Sequence, residues 1–418
     1  MALLIEELAW FEEGSETLLG FVSFDRTDHD YVAHVLGRDA KKRFRAVSLN
    51  HGMATQAEAT IWLRNELAEL VSKPASFHYQ GDEEGEPVDF FKPIVPKEKR
   101  AFAFEQLRTH RSYTPALELI NELMHYYEDP DGNFIQQFQS AGFDARIWEV
   151  YLYAAFTEMG YGFDRRHPAP DFHCRGVLGE FFVEATTLGV SPKTPELTEA
   201  NGVDYFRNYV PIRFSGALCA KLDKRYWELP HVSGVPLTIA IQDFHAPGSM
   251  TWTAPPLCEY LYGFRQCERN GALTSERIDS HRWGEKVIRS HFFGQPGAEN
   301  ISAVIANPSG TLAKFKRMGF LIGFGDRHLR MLRRGIAYQG EASVLTPFKI
   351  EVTSPGYSES WAEGLAIYHN PDAKLPLPED AFPGAGHFTF EEGWLMSKLP
   401  AFFPLGTQTL TLSPKQGT

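Results

Sequence analysis

Two carboxylates, Asp171 and Glu184, stand in the run HPAPDFHCRGVLGEFFVEATT (167–187). The stretch EFFVEATT reads as a strand. Its side chains alternate, so Glu180, Phe182, Glu184 and Thr186 share one face, and Phe181, Val183, Ala185 and Thr187 share the other. A carboxylate inside a Phe- and Val-rich strand is costly unless it is paired, protonated or bound to a cation. Asp171 follows Pro170, which pushes Ala169 to an extended backbone. A short hairpin brings Asp171 back towards Glu184. Two converging carboxylates suit a divalent metal ion, which takes hard oxygen ligands and polarises what it binds.

Further charged residues stand in apolar company. Glu149 is the lone charge in IWEVYLYAAF (147–156). On a helix it shares a face with Leu152, Tyr153 and Phe156, so it either reaches a buried partner or borders a site. Downstream, Arg213, Ala217, Lys221 and Lys224 fall at i, i+4, i+8 and i+11 and form one helical stripe. Lys221 follows an apolar turn in GALCAKLDKRYW (216–227), which suits an ammonium aimed inward. Weaker signals are His231, Asp243 and His245 around an apolar strand, as a metal pair. In SGTLAKFKRMGF (309–320), Lys314, Lys316 and Arg317 alternate with Phe315 and Phe320, a pattern that suits nucleic acid.

The elements that must carry these residues divide the 418-residue chain into four regions. Residues 1–73 read as a small α+β unit, with strands at 20–26, 31–37 and 42–49 and a helix at 55–71 capped by Thr55. Residues 74–100 read as a linker rich in Gly, Pro and charge, although FFKPIV within it docks on something. Residues 101–250 alternate helices (112–128, 143–160, 205–226) with the strand pair of 167–187 and the apolar strand 235–244, an α/β core. Residues 251–418 read as a β-rich C-terminal region packed on that core, with a helix at 276–290 and a strand at 300–307.

A hydrophobic fraction of 43% and a charged fraction of 22% place the chain among water-soluble globular proteins. Its apolar runs are too short to span a membrane. The first residues lack a basic leader, and the four cysteines show no metal or disulfide spacing, so a reduced, cytoplasmic setting is expected. The net charge of -12 argues against a broad nucleic-acid-coating surface but leaves room for a local basic groove.

The order helix Glu149, Pro-Asp171, strand Glu184 resembles the PD-(D/E)XK restriction-endonuclease-like superfamily across residues 145–245. The chain as a whole is similar to a group of uncharacterised bacterial proteins, through FDARIWEVYLYAAFTEMGY, APDFHCRGVLGEFFVEATT, SGTLAKFKRMGF and GYSESWAEGL. The superfamily resemblance implies a mixed sheet flanked by helices. It also implies a Mg²⁺- or Mn²⁺-dependent nuclease of DNA processing or host defence, with nucleic acid, DNA first, as partner. Asp171 and Glu184 would hold the ion with a backbone carbonyl, that of Ala185, and Glu149 would serve a second ion or its water.

The resemblance fails at one position. The family's Lys is Thr186 here, a hydroxyl without charge. Lys221 is the expected replacement, with Arg213 and Lys224 on phosphates. The alternative is a catalytically inactive relative that binds a nucleic acid or protein partner.

Overall fold

The N-terminal sequence alternates apolar and polar residues in short runs separated by turn residues, and it folds as an antiparallel meander. In the computed structural model, which describes residues 4–14, 17–85, 87–129, 132–340 and 344–412, this meander comprises β1 (Ile5–Glu13), β2 (Leu18–Asp25), β3 (Asp30–Arg38) and β4 (Phe44–Met53) in that order. Helix α1 (Gln56–Leu70) buries Ala59, Leu63, Leu67 and Leu70 with Leu18, Val22, Ala33 and Val35 of the sheet. The Thr55 hydroxyl accepts the Glu58 N–H at 3.2 Å, as the cap position requires. β1 was not expected. Its Glu-rich sequence and a register shift at Leu8, between Glu7 and Ala9, hide the pattern that puts Leu8 and Phe11 against the core.

This meander and helix belong to a first unit, residues 1–92 with 121–128, and the rest of the chain forms a second. The expected linker is folded in part, with short helical turns at Ala75–His78 and Lys97–Lys99. Phe90, Phe91 and Val95 of FFKPIV are buried.

In the second unit, helices α2 (Phe102–Thr109), α3 (Thr114–Met124, its last turn in the first unit) and α4 (Phe134–Phe138) precede the long α5 (Phe143–Glu158). Then come β5 (Gly162–Phe163), β6 (Phe172–Gly176) and β7 (Gly179–Leu188). The short α6 (Gly202–Asp204) runs through a π turn into α7 (Val210–Leu222), and β8 (Leu237–Asp243) and α8 (Ala254–Tyr262) follow. Every residue of β8 is buried, its apolar Leu237, Ile239, Ala240 and Ile241 together with Thr238, Gln242 and Asp243.

Where a helix was expected at 276–290 there are two hairpins, β9 (Phe264–Arg269) with β10 (Ala272–Arg277), and β11 (Ser280–Trp283) with β12 (Lys286–Arg289). Asn270 and Gly271 both adopt positive φ, 53° and 75°, so the Asn-Gly pair makes the tight turn that closes the first hairpin. Inside the expected helix, Gly284 at φ 57° turns β11 back onto β12 and so breaks the helical reading.

The remaining elements are β13 (Ala303–Ala306), α9 (Leu312–Leu321), β14 (Arg330–Gln339), β15 (Thr346–Glu351), β16 (Ala366–His369), β17 (Gly386–Glu391), β18 (Trp394–Lys398) and β19 (Phe402–Leu412). Among the described residues, one eight-stranded sheet runs β18-β17-β16-β13-β8-β7-β6-β5, and β15-β14-β19 form a separate sheet. The large sheet is mixed. β7, β8 and β13 run parallel to each other, while β6 and β16 are antiparallel to their inner neighbours.

The boundary expected at residue 250 therefore falls inside one sheet, whose β13, β16, β17 and β18 come from the C-terminal region. α5 covers one face, with Phe156 edge-on to Phe172 and Phe181. α7 and α8 cover the other, where Phe214, Leu218, Leu257 and Tyr260 pack with Phe182, Ile239 and Ile241. The architecture is mixed α/β. Among the described residues no helix is long and apolar enough to cross a membrane.

Candidate functional site

The hairpin β6–β7 closes through Gly176 opposite Gly179, and its register sets Phe172 opposite Val183. One residue further out, Asp171 then faces Glu184 on the α7 side of the sheet. The two residues hold each other. The Asp171 N–H donates to Glu184 Oε2 at 3.3 Å, and the Ala185 N–H donates to Asp171 Oδ2 at 2.7 Å. Glu184 is 4% exposed, whereas Asp171 is half-buried and open on one side.

Helix α7 runs back along β7, so its end lies beside Glu184. There Lys221 Nζ donates to Glu184 Oε1 at 2.5 Å, and the Tyr226 hydroxyl donates to the same oxygen at 2.7 Å. The inward Lys expected from the stripe is thus where the acids are. The rest of the stripe goes elsewhere. Arg213 Nη2 binds the Gly189 carbonyl at 2.6 Å, just past the end of β7, and Lys224 lies exposed beyond the end of α7. Thr186 sits one position further along the Glu184 face, half-buried.

Glu149, on α5, is buried and accepts from Arg146 Nη1 at 2.6 Å. Arg146 is itself held by Gln137 Oε1, at 2.7 Å from Nη2 and 3.0 Å from Nε. On the outer side, Arg165 Nη1 donates to the Asp171 carbonyl at 2.6 Å while its guanidinium lies over the Phe172 ring at 4.7 Å. Arg146 was legible as the i−3 neighbour of Glu149. Tyr226 and Arg165 carry no spacing signal, because each reaches its partner through a turn.

The acids feel one another across three elements. Burial first, then the negative charges of Glu184 and Glu149, push the Asp171 carboxyl up to about 8; the Ala185 N–H and Lys221 oppose this. Burial raises Glu149 as well, against the pull of Arg146.

Among the described residues no group of three His, Cys, Asp or Glu side chains converges as a metal cage. The expected second-ion role of Glu149 therefore finds no support in the geometry, since Arg146 engages its carboxylate. Asp171, Glu184 and the Ala185 carbonyl remain as donors for one ion, and the raised Asp171 carboxyl marks a place where added positive charge is favourable.

The weaker motifs resolve differently. Asp243 and His245 are fully buried. His245 Nδ1 lies 2.6 Å from Asp243 Oδ1, and its Nε2 lies 2.8 Å from the Tyr205 hydroxyl, so they pin the loop after β8. His231 stands apart, on the Ala169 carbonyl. In α9, Lys314, Lys316 and Arg317 are buried. Lys314 and Arg317 both bind Glu359 at 2.7 Å, and Lys316 lies over the Tyr113 ring at 4.4 Å. A basic nucleic-acid surface at 309–320 is thereby overturned: those charges are spent inside the protein.

No family model, curated protein or solved structure matches the chain.

Proposed function

We propose that the chain hydrolyses phosphodiester bonds of nucleic acid, DNA first, with one Mg²⁺ or Mn²⁺ held by Asp171, Glu184 and the Ala185 carbonyl, on a restriction-endonuclease-like core. The observation that carries this reading is the Lys221 ammonium at 2.5 Å from Glu184, beside the Asp171–Glu184 pair. An acid pair with an adjacent ammonium is the set of groups such hydrolysis uses, and here a helix residue supplies the charge that Thr186 lacks.

The bound ion supplies Lewis acidity at the scissile phosphate. Lys221 has three donors and uses one on Glu184, so another would orient the attacking water and meet charge growing on the phosphate oxygens. Tyr226 fixes the Glu184 carboxylate, which keeps its lone pairs aimed. Asp171 takes on its charge when a cation arrives to offset the repulsion from Glu184 and Glu149.

A second reading is a non-catalytic binding module. The pairing of Glu149 with Arg146 and of Glu184 with Lys221 favours it, because both acids are then compensated without an ion. Cleavage of DNA and RNA in Mg²⁺ or Mn²⁺ decides between the two. Wild type cuts, and Asp171→Ala and Glu184→Ala lose on the order of a hundredfold or more. Equal rates in all three proteins would exclude this site as the source.

A further inference from the structure

Beside the acids lies a stack of rings that the proposed chemistry does not use. Phe182, two positions before Glu184 on the same strand face, lies flat on His173, with centroids 4.0 Å apart and planes at 18°. The same ring meets His231 at 5.9 Å and 63°. His231 donates from Nε2 to the Ala169 carbonyl at 2.8 Å, which anchors its ring to the segment that leads into Asp171. His167 then lies parallel on His231, with centroids 3.8 Å apart and planes at 7°. His231 is half-buried and His167 is exposed. The outer imidazole thus extends an anchored aromatic stack into solvent, four residues before Asp171.

We infer that the His167–His231 stack is a platform for a nucleobase of the strand whose phosphate lies at Asp171 and Glu184; this rests on the nucleic-acid reading above. A flat, anchored ring beside a phosphate-handling site suits a base, since every base presents a π face and stacking tolerates any sequence. Arg166 precedes His167 with its side chain 74% exposed and its guanidinium paired with Asp164, so the neighbouring charge that suits a polyanion is that of Lys224, exposed beyond α7. A rigid ring loses little freedom on binding, and His231 is already held before any ligand arrives.

The test uses a single-stranded DNA oligonucleotide carrying 2-aminopurine, whose fluorescence falls when it stacks. The full chain is titrated in chelator, so that binding is read without cleavage. Wild type quenches the probe. His167→Ala loses the quenching and binds about tenfold more weakly, and His167→Phe, which restores a flat ring, keeps both. Quenching and affinity unchanged in His167→Ala would overturn the platform, as would a wild type that binds no oligonucleotide or a His167→Phe that behaves like the Ala variant. A parallel Mg²⁺ assay separates the two ideas. Quenching by His167 without any cleavage supports the platform and removes the nuclease reading, whereas cleavage with quenching indifferent to His167 does the reverse.

Discussion

Replacing Asp171 by Asn removes an ionisation that the folded protein resists. In the unfolded chain this carboxyl titrates near 3.8, and in the fold burial, Glu184 and Glu149 push it up to about 8. The folded state therefore binds the proton more tightly, so its contribution to stability is complete below pH 4 and is lost as pH rises towards 8. Each tenfold in proton affinity is worth about 1.4 kcal/mol. Between pH 5 and pH 8 the loss has a ceiling of about 4 kcal/mol, and the solvent-facing side of Asp171 reduces it to about 2 kcal/mol. Asn keeps the oxygen that accepts the Ala185 N–H and carries no charge. Wild type and Asp171→Asn should therefore match in urea unfolding at pH 5 in chelator. At pH 8 the variant should be the more stable by about 2 kcal/mol. Stability curves that stay parallel from pH 5 to pH 8 would refute the idea that Asp171 is a strained carboxyl awaiting a cation.

Two other substitutions separate the site from the scaffold. Lys221→Met leaves the buried Glu184 with the Tyr226 hydroxyl and the Asp171 N–H but no cation; it should lose about 2 kcal/mol of stability in chemical denaturation and on the order of a hundredfold in cleavage rate, and wild-type values on both counts would end the replacement role of Lys221. Lys314→Met should cost about 3 kcal/mol by disturbing the buried Glu359 cluster while leaving oligonucleotide affinity at the wild-type value, and weakened binding in a fully folded variant would restore 309–320 as a nucleic-acid surface.

The parts of this protein that could be read in advance are those whose cause is local. Thr55 caps its helix through Glu58, three residues on. Asp171 and Glu184 meet because a hairpin of that length folds back on itself, and Lys221 lies on the inward side of an amphipathic helix. What escaped reading depends on distant partners. Lys314 and Arg317 looked like surface charge because Glu359, which buries them, is far along the chain. The His167–His231 stack joins two loops with no shared spacing. The helix expected at 276–290 was a local error: Gly284, which turns β11 back onto β12 at a positive φ, stood in the middle of it.

The eight-stranded sheet has a consequence for how the chain is made. β8 is buried on both faces and pairs on one side with β7, but its other neighbour, β13, begins roughly 60 residues later; at ~5–20 residues per second, a ribosome needs several seconds to supply it. During that interval the nascent chain displays a bare, sticky strand edge. Asp171, Glu184 and Lys221 all emerge before it, so the site's side chains are synthesised while the sheet that will bury them is still half built. Chaperone demand during synthesis should accordingly peak after residue 243, and a gene fragment ending near residue 250 should yield insoluble protein.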